Sequence, residues 1–152
     1  MYPRSLCLQE VVFISHDTAA YEVNEEQFFT RGNSGGTLVS SALEKTQTII
    51  SERYHPSSWN IYAFQGSDGD NWPDDTDGCL KALLELKKVC QLFGYCEIEP
   101  DGERSSWQSD WKLSKIYSKY TDEKLKTGSI KSKKDVWKAF KSMFYRRTVV
   151  GF

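Results

Sequence analysis

The stretch that decides the fold runs from Trp59 to Asp75 and reads Trp-Asn-Ile-Tyr-Ala-Phe-Gln-Gly-Ser-Asp-Gly-Asp-Asn-Trp-Pro-Asp-Asp. Residues 59–66 are mostly apolar at both alternating sets of positions, which predicts a strand buried between two layers of helix. At Ser67 the strand gives way to a loop rich in aspartate, and Pro73 with its two following aspartates is typical of a helix start. Open α/β sheets bind ligands in loops of this kind, at the carboxyl ends of strands.

The acidic residues of this stretch have two interpretations. Side chains of like charge this close in sequence repel each other unless a cation or hydrogen-bond donors compensate them, which favours a binding site. The same residues also suit a polar turn and a helix N-terminus, and on spacing alone this second interpretation is favoured because such loops are common. The residues concerned are Asp68, Asp70, Asp74 and Asp75.

The composition is that of one globular domain. The chain has 152 residues, of which 39% are hydrophobic, and its net charge is -1. Residues 112–152 nevertheless hold 12 of the 20 lysines and arginines and only 3 of the 21 acidic residues. A basic segment of this kind binds nucleic acid or an acidic partner in some proteins. A solvated helix face beside an acidic one is the more common explanation, and we favour it here.

Cysteine and histidine usage argues against a metal or redox motif built on these residues. The chain contains no Cys-x-x-Cys pair, which makes a zinc ribbon unexpected. Cys79, Cys90 and Cys96 lie among apolar residues, where a free thiol behaves as a small core residue and fits a reducing compartment. His16 is predicted to be a hydrogen-bonded turn residue, because no second histidine lies near it in sequence. Without a long apolar run or a signal-peptide pattern, we expect a cytoplasmic protein with no membrane partner.

The order of predicted elements favours a layered α/β domain with a mostly parallel sheet. The predicted strands are Val11–Ile14, Ala19–Val23, Trp59–Gly66, Phe93–Ile98 and the edge strand Leu125–Ile130. The predicted helices are a short turn at Glu25–Phe29, Thr37–Arg53, Cys79–Leu92, one from Ser105 or Ser106 to Tyr120, and one that opens with a capping box at Ser132–Asp135. Residues 146–152 are predicted to be a frayed end.

Two segments together resemble a bacterial protein family. Residues 34–43 read Ser-Gly-Gly-Thr-Leu-Val-Ser-Ser-Ala-Leu, and residues 59–72 carry the Ser-Asp-Gly-Asp-Asn-Trp motif. Residues 11–29, with Phe-Ile-Ser-His-Asp-Thr at their centre, resemble the segment that precedes this glycine loop, and the later strand and helix match in type and order. In these features the chain is similar, over roughly residues 10–145, to the YhbH/YeaH family, also called DUF444 or UPF0229, which has a von Willebrand factor A-like domain.

The resemblance implies both a fold and a site. The fold would be a three-layer, doubly wound α/β domain over residues 1–152, with a mostly parallel sheet flanked by helices. Domains of this class bind Mg²⁺ at the C-terminal edge of the sheet through an Asp-x-Ser-x-Ser loop, a threonine loop and an aspartate loop. Thr37 matches the threonine and Asp68 the aspartate, while Asp70 is a candidate for the outer shell. Because Mg²⁺ takes hard oxygen ligands and keeps an open or water-filled position, a partner's carboxylate can complete the shell.

One part of the family pattern is missing. No Asp-x-Ser-x-Ser sequence occurs in the chain, and in the family it precedes the segment that matches Val11. The resemblance therefore implies that the first strand and helix of the domain are absent here. With two of three loops, we expect weak or no Mg²⁺ binding by this chain alone. We also expect an exposed sheet edge through which two copies can associate.

The implied function is a protein-interaction module, metal-dependent when complete, in bacterial stress response and sporulation. The implied partners are a serine protein kinase and a homologue of sporulation stage V protein R. The alternative is a magnesium-dependent hydrolase or phosphatase that uses the acidic loop Asp68–Asp75, although the sequence contains no evident nucleophile–base pair. Nucleic-acid binding through Lys112–Arg147 ranks last, because the aromatic residues there have the spacing of a helix core.

Overall fold

The computed structural model describes residues 8–30, 36–99 and 112–145. These residues form a mixed α/β structure in which helices and strands follow each other in the predicted order. The elements are β1 (Phe13–His16), β2 (Ala20–Val23), α1 (Glu25–Thr30), α2 (Val39–Arg53), β3 (Tyr62–Ser67), a 3₁₀ turn (Pro73–Asp75), α3 (Thr76–Val89), β4 (Leu92–Ile98), α4 (Leu113–Ser118), β5 (Leu125–Ile130) and α5 (Asp135–Phe144).

The described strands form two separate sheets. β3, β4 and β5 form a parallel sheet in which β4 is central. This confirms the predicted parallel sheet and the edge position of β5. β1 and β2 instead form an antiparallel hairpin that is its own two-stranded sheet. The carboxyl ends of β3 and β4 therefore meet at one edge, where loops that follow parallel strands are brought together.

The hydrophobic core lies on one side of the parallel sheet, beneath α2, α3 and α4. On α3, apolar residues recur three and four positions apart and face the sheet, as expected for an amphipathic helix. Basic residues occupy the last turn of α3, where they interact favourably with the helix dipole. The core residues include Val39, Leu43, Cys79, Ala82, Leu83, Leu86, Phe93, Tyr95, Leu113, Tyr117 and Leu125.

The opposite side of β3 is not buried, so the prediction of a strand covered on both faces is wrong. Tyr62 and Phe64 are 54% and 51% exposed. The reason is the position of α5, which packs mainly over β5 and the middle of the sheet. Its buried residues Ala139 and Met143 lie against Gly128 and Gly94 respectively. The helix thus covers β4 and β5 and leaves most of β3 uncovered.

The aromatic residues of α5 are exposed as well, although their spacing predicted a helix core. Trp137, Phe140 and Phe144 are 64%, 43% and 45% exposed. Phe140 and Phe144 contact the rings of β3, with centroids 6.1 Å apart for Phe64–Phe140 and 6.5 Å apart for Tyr62–Phe144. We call this set the aromatic face: Tyr62, Phe64, Trp137, Phe140 and Phe144.

Several predicted boundaries move by a few residues. The strand expected from Trp59 begins at Tyr62, because a turn in which Ser58 N–H and Trp59 N–H donate to His55 O precedes it. Leu92 was assigned to a helix but lies in β4, where it pairs with Tyr62. The strand expected at 11–14 lies at Phe13–His16, which places His16 in the strand and not in the turn.

Two further predictions concern residues outside the described ranges. The helix start at Ser105 or Ser106 and the frayed end at 146–152 both lie there. The helix predicted to run on to Tyr120 is shorter in its described part: α4 begins at Leu113, after the non-helical Lys112, and ends at Ser118. The short helix near residue 25 is confirmed as α1. Asn24 and Gln27 stabilise its start through reciprocal side-chain to backbone hydrogen bonds.

Candidate functional site

A cleft of about 360 Å³ opens at the carboxyl edge of the parallel sheet. It is lined by both residues that the sequence singled out as cation ligands, Thr37 and Asp68, although they belong to different loops. Asp68 directly follows β3. Thr37 lies in the loop that leads into α2, two residues before its first residue, Val39. The other lining residues are His16, Gly66, Ser67 and Ile98.

The loop that carries Thr37 is held from two sides. Trp72 N–H donates to Thr37 O at 3.3 Å, and Leu38 N–H donates to Asp17 O at 2.9 Å. The indole ring of Trp72 lies so close to Gly36 that no Cβ fits there without displacing it. A glycine is therefore favoured at this position, and the two backbone hydrogen bonds hold Thr37 between the acidic loop and the β1–β2 hairpin.

The loop that carries Asp68 is a tight turn built around Gly69. Gly69 has a φ of 94°, a conformation that favours glycine. Its N–H donates to Ser67 Oγ at 3.1 Å, and Asp70 N–H donates to Asp68 Oδ1 at 3.2 Å. Among the described residues no hydrogen bond reaches Asp68 Oδ2. One oxygen of this carboxylate thus stabilises the turn and the other can bind a ligand.

Asp75 and Asn71 have a different role from Asp68. The carboxylate of Asp75 is buried and accepts a hydrogen bond from Ser40 N–H at 2.9 Å, while Asn71 Oδ1 accepts one from Val39 N–H at 3.2 Å. Both acceptors satisfy free backbone donors at the start of α2, and the Asp75 carboxylate also places negative charge at the positive end of the helix. The acidic stretch therefore contains both a turn with a free carboxylate oxygen and a cap for a neighbouring helix.

The hydrolase alternative needs several carboxylates of this stretch around one pair of ions. The helix-capping role of Asp75 argues against it, because this carboxylate already binds Ser40 N–H. Within the described ranges, no group of three or more histidine, cysteine, aspartate or glutamate side chains is arranged to hold a metal ion. The Thr37 hydroxyl and the Asp68 carboxylate do have the chemistry that Mg²⁺ prefers, since both offer hard oxygen atoms. With a single carboxylate they suit a weakly held ion that keeps most of its water.

His16 was not expected in the site. It lies in β1 and lines the cleft opposite the Asp68 loop, whereas its sequence neighbourhood predicted only a turn residue. Burial lowers the pKa of His16 below its usual 6.5, and the nearby Asp17 carboxylate opposes this only in part. The imidazole is therefore neutral at pH 7. No local signal in the sequence marks it, because its position depends on the hydrogen bond between Leu38 and Asp17.

Glu97 and Tyr95 were also missed by the sequence analysis. They lie on β4 beneath the Asp68 loop, and both are buried. Glu97 is paired with Lys112, whose Nζ lies 3.2 Å from Glu97 Oε1. The sequence did offer a signal here, since a charged residue within an otherwise apolar strand is uncommon in a core.

The fold and the site together define a mixed α/β protein with a ligand-sized cleft at the carboxyl edge of a parallel sheet. Residues 7–147 match the family described as "Protein of unknown function (DUF444)", and the chain belongs to that family. It is 43% identical over 141 residues to a UPF0229 protein of Legionella pneumophila, covering 92% of this chain and 32% of that protein. It is 58% identical over 91 residues to a UPF0229 protein of Ruminiclostridium cellulolyticum, covering 60% of this chain and 23% of the relative.

The chain thus spans about a third or less of the length of these curated relatives. A UPF0229 protein of Clostridium perfringens shows the same proportion, with 40% identity over 131 residues and 32% of its length covered. No solved structure shows significant similarity to the chain. Of the helices that the structure describes, none has the length and apolar character to cross a membrane.

Replacement of Asp75 by alanine is expected to lower the free energy of unfolding by about 1–3 kcal/mol, because Ser40 N–H loses its buried acceptor. Urea unfolding monitored by circular dichroism measures this change. Asp74→Ala is the matched control, since Asp74 is the exposed neighbour and caps no helix among the described residues. Equal effects of the two substitutions would contradict the capping role.

The imidazole of His16 is expected to titrate below pH 6.5 in an NMR titration of its ring protons. The unfolded chain then binds a proton at higher pH than the folded chain does. The contribution of His16 to stability is therefore fully present above about pH 6.5 and is lost as the pH falls towards the lower folded pKa. A titration midpoint at or above 6.5 would show that the ring is not desolvated in the cleft.

Proposed function

We propose that this chain carries part of a divalent-cation-dependent protein-interaction site, with Thr37 and Asp68 as the cation ligands. The observation that supports this proposal is the convergence of these two residues in one cleft at the carboxyl edge of the parallel sheet. The proposal includes a von Willebrand factor A-like arrangement of the domain. The alternation of elements, the parallel sheet and the resemblance of residues 34–43 and 59–72 support that arrangement.

The chemistry of such a site is that of ligand capture. A bound Mg²⁺ would supply a positive charge with exchangeable water positions, one of which a partner's carboxylate can take. In this chain, Asp68 Oδ2 and the Thr37 hydroxyl offer the oxygen ligands, and the Gly69 turn keeps the Asp68 carboxylate at the cleft. His16, held neutral by burial, adds a wall of the cleft that does not repel the ion. Because such a site binds its ligand without a chemical reaction, it requires no nucleophilic side chain.

The biological setting is a proposal based on the family resemblance. We propose a role in bacterial stress response and sporulation, with a serine protein kinase and a homologue of sporulation stage V protein R as protein partners. We also propose a cytoplasmic location. The free thiols of Cys79, Cys90 and Cys96 support a reducing compartment. Burial raises the pKa of Cys79 and of Cys90 to about 11, which makes both thiols unreactive at neutral pH.

Mn²⁺ is the probe for the cation site, because the free ion is counted directly by electron paramagnetic resonance. We expect weak binding to this chain, with a dissociation constant on the order of 1 mM, as for sites with few charged ligands. Asp68→Asn is expected to weaken binding about tenfold or more, since it removes the one carboxylate charge at the cleft.

Asp70→Asn is the matched control for this experiment. Although the resemblance makes Asp70 a candidate for the outer shell, Asp70 is not among the described residues that line the cleft. Its backbone N–H, not its side chain, stabilises the turn. Its substitution should leave Mn²⁺ affinity nearly unchanged. Equal losses in the two variants would indicate general attraction of a cation to an acidic surface. No loss in Asp68→Asn would overturn the proposed site.

We further propose that two copies of the chain associate through β3. This strand pairs only with β4 among the described strands, so its other edge has backbone groups available for pairing. The aromatic face lies beside that edge, and two of its members, Tyr62 and Phe64, belong to β3 itself. Pairing of β3 with a second copy would bury both features at once.

Sedimentation velocity over a range of protein concentrations tests the association. We expect a concentration-dependent dimer, and we expect Trp137→Gln to raise its dissociation constant about tenfold because an exposed aromatic anchor is lost. Phe29→Gln is the control, since Phe29 is 72% exposed but lies on α1, outside the aromatic face. A chain that stays monomeric at all concentrations, or equal effects of both substitutions, would refute the dimer.

A further inference from the structure

A layer of polar side chains lies on the core side of the sheet, directly beneath the Asp68 loop. The register of β3 and β4 places Gln65 beside Tyr95 and Ser67 beside Glu97. Phe93, two residues before Tyr95 on β4, belongs to the apolar part of the core. The core thus changes from apolar to polar just before the carboxyl edge. Glu97 is only 5% exposed, and a carboxylate is kept at such depth only with good hydrogen-bond partners.

These partners form a continuous chain of hydrogen bonds that ends in the loop. Tyr95 donates its hydroxyl proton to Glu97 Oε2 at 3.3 Å, and Lys112 Nζ donates to Glu97 Oε1 at 3.2 Å. Because the Tyr95 proton is used in this way, Ser67 donates to the Tyr95 oxygen, at 3.3 Å. Ser67 Oγ in turn accepts from Gly69 N–H at 3.1 Å. Burial raises the pKa of Tyr95, which keeps its hydroxyl protonated as a donor.

Gly69 is held at three points, two of them by this layer and one by the backbone of α4. Its N–H is bound by Ser67, and its carbonyl accepts from Leu113 N–H at 3.1 Å. Its Cα lies against the Glu97 side chain, where an added Cβ would come within 2.6 Å of Oε2. Asp68 and Asp70 flank Gly69 and are joined to each other by a hydrogen bond. The direction of the Asp68 carboxylate therefore depends on how firmly Gly69 is held.

We propose that Tyr95 and Glu97 are positioning residues for Asp68. Through Ser67 they fix the Gly69 turn in the conformation that directs the Asp68 carboxylate to the cleft. The functional meaning of this role rests on the proposed cation site, but the role itself concerns the loop and is measurable without any cation. A merely structural role for this layer, such as attaching α4 to the sheet, would stabilise the core without affecting the loop.

The test compares two substitutions that each remove one buried hydroxyl. Tyr95→Phe breaks the link between Ser67 and Glu97 and keeps the ring, which packs on Tyr117 with centroids 5.0 Å apart. Tyr117→Phe is the matched control. The Tyr117 hydroxyl lies 3.2 Å from Gln65 Oε1 and 3.3 Å from Cys79 Sγ, in the same core but without contact to the loop.

Hydrogen exchange of the Gly69 and Asp70 amides, measured by NMR in cation-free protein, is the first readout. We expect both amides to exchange about tenfold faster in Tyr95→Phe and at the wild-type rate in Tyr117→Phe. Ser67→Ala removes the hydroxyl that accepts from Gly69 N–H and should also make the Gly69 amide exchange faster. This variant tests the proposal even if Tyr95→Phe does not fold. Unchanged exchange in Tyr95→Phe or Ser67→Ala, or equal release in Tyr117→Phe, would overturn the positioning role.

Mn²⁺ affinity is the second readout, and it separates this inference from the proposed function. We expect the dissociation constant to rise about tenfold in Tyr95→Phe and to stay unchanged in Tyr117→Phe. A wild-type chain that binds no Mn²⁺, combined with faster exchange in Tyr95→Phe, would refute the cation site and support the positioning role. If Tyr95→Phe exchanges the Gly69 and Asp70 amides faster but binds Mn²⁺ as tightly as the wild type does, the Gly69 turn does not position Asp68 for a cation.

Discussion

The hydrogen bond between the Asp75 carboxylate and Ser40 N–H is the constraint on which the candidate site depends. It joins the acidic loop after β3 to the first turn of α2 at 2.9 Å, in a buried position. Asn71 and Trp72 reinforce it by binding Val39 and Thr37. The negative charge of the loop thus meets the positive end of a helix. Because of this attraction, Thr37 and Asp68 face the same cleft.

The sequence predicts the order of the elements, the parallel sheet and the helices α2 and α3, because hydrophobic periodicity and glycine or proline positions are local signals. The family resemblance selects Thr37 and Asp68, and both residues line the same cleft. The sequence does not predict what covers each apolar surface. The spacing of Trp137, Phe140 and Phe144 is that of a buried helix face, yet these residues are exposed because α5 packs on β5 with a narrower stripe. Hydrophobic periodicity shows which residues share one face of a helix, but it does not show whether another part of the protein packs on that face.

The roles of individual polar residues were harder to infer, because they depend on contacts between distant segments. Asp75 and Asp68 look alike in sequence, but Asp75 caps α2 and Asp68 faces the cleft. His16 enters the site only because the β1–β2 hairpin is bound to the Thr37 loop. Glu97 on β4 forms an ion pair beneath the loop with Lys112, which lies 15 residues away at the start of α4. The sequence marks Glu97 as an unusual charged residue in an apolar strand, but it does not show which residue pairs with it.

Two surfaces of the described α/β structure are candidates for binding. The cleft at the carboxyl edge offers a single carboxylate and a hydroxyl, which suits a weakly held cation and a partner that completes its shell. The aromatic face consists of five large side chains that are each 43–64% exposed, and exposed apolar patches often mark sites of protein association. Both surfaces are consistent with the proposal of a protein-interaction module.

The most direct test of the cation site is paramagnetic broadening of the amide resonances by substoichiometric Mn²⁺, followed in two-dimensional ¹H–¹⁵N spectra of the isotope-labelled chain. Broadening falls off steeply with distance from the ion and therefore locates it. We expect the amides of Thr37, of Ser67 to Asp70 and of His16 to broaden first. Broadening that begins instead at another acidic surface, such as Glu25 and Glu26 on α1, would contradict the proposed cation site.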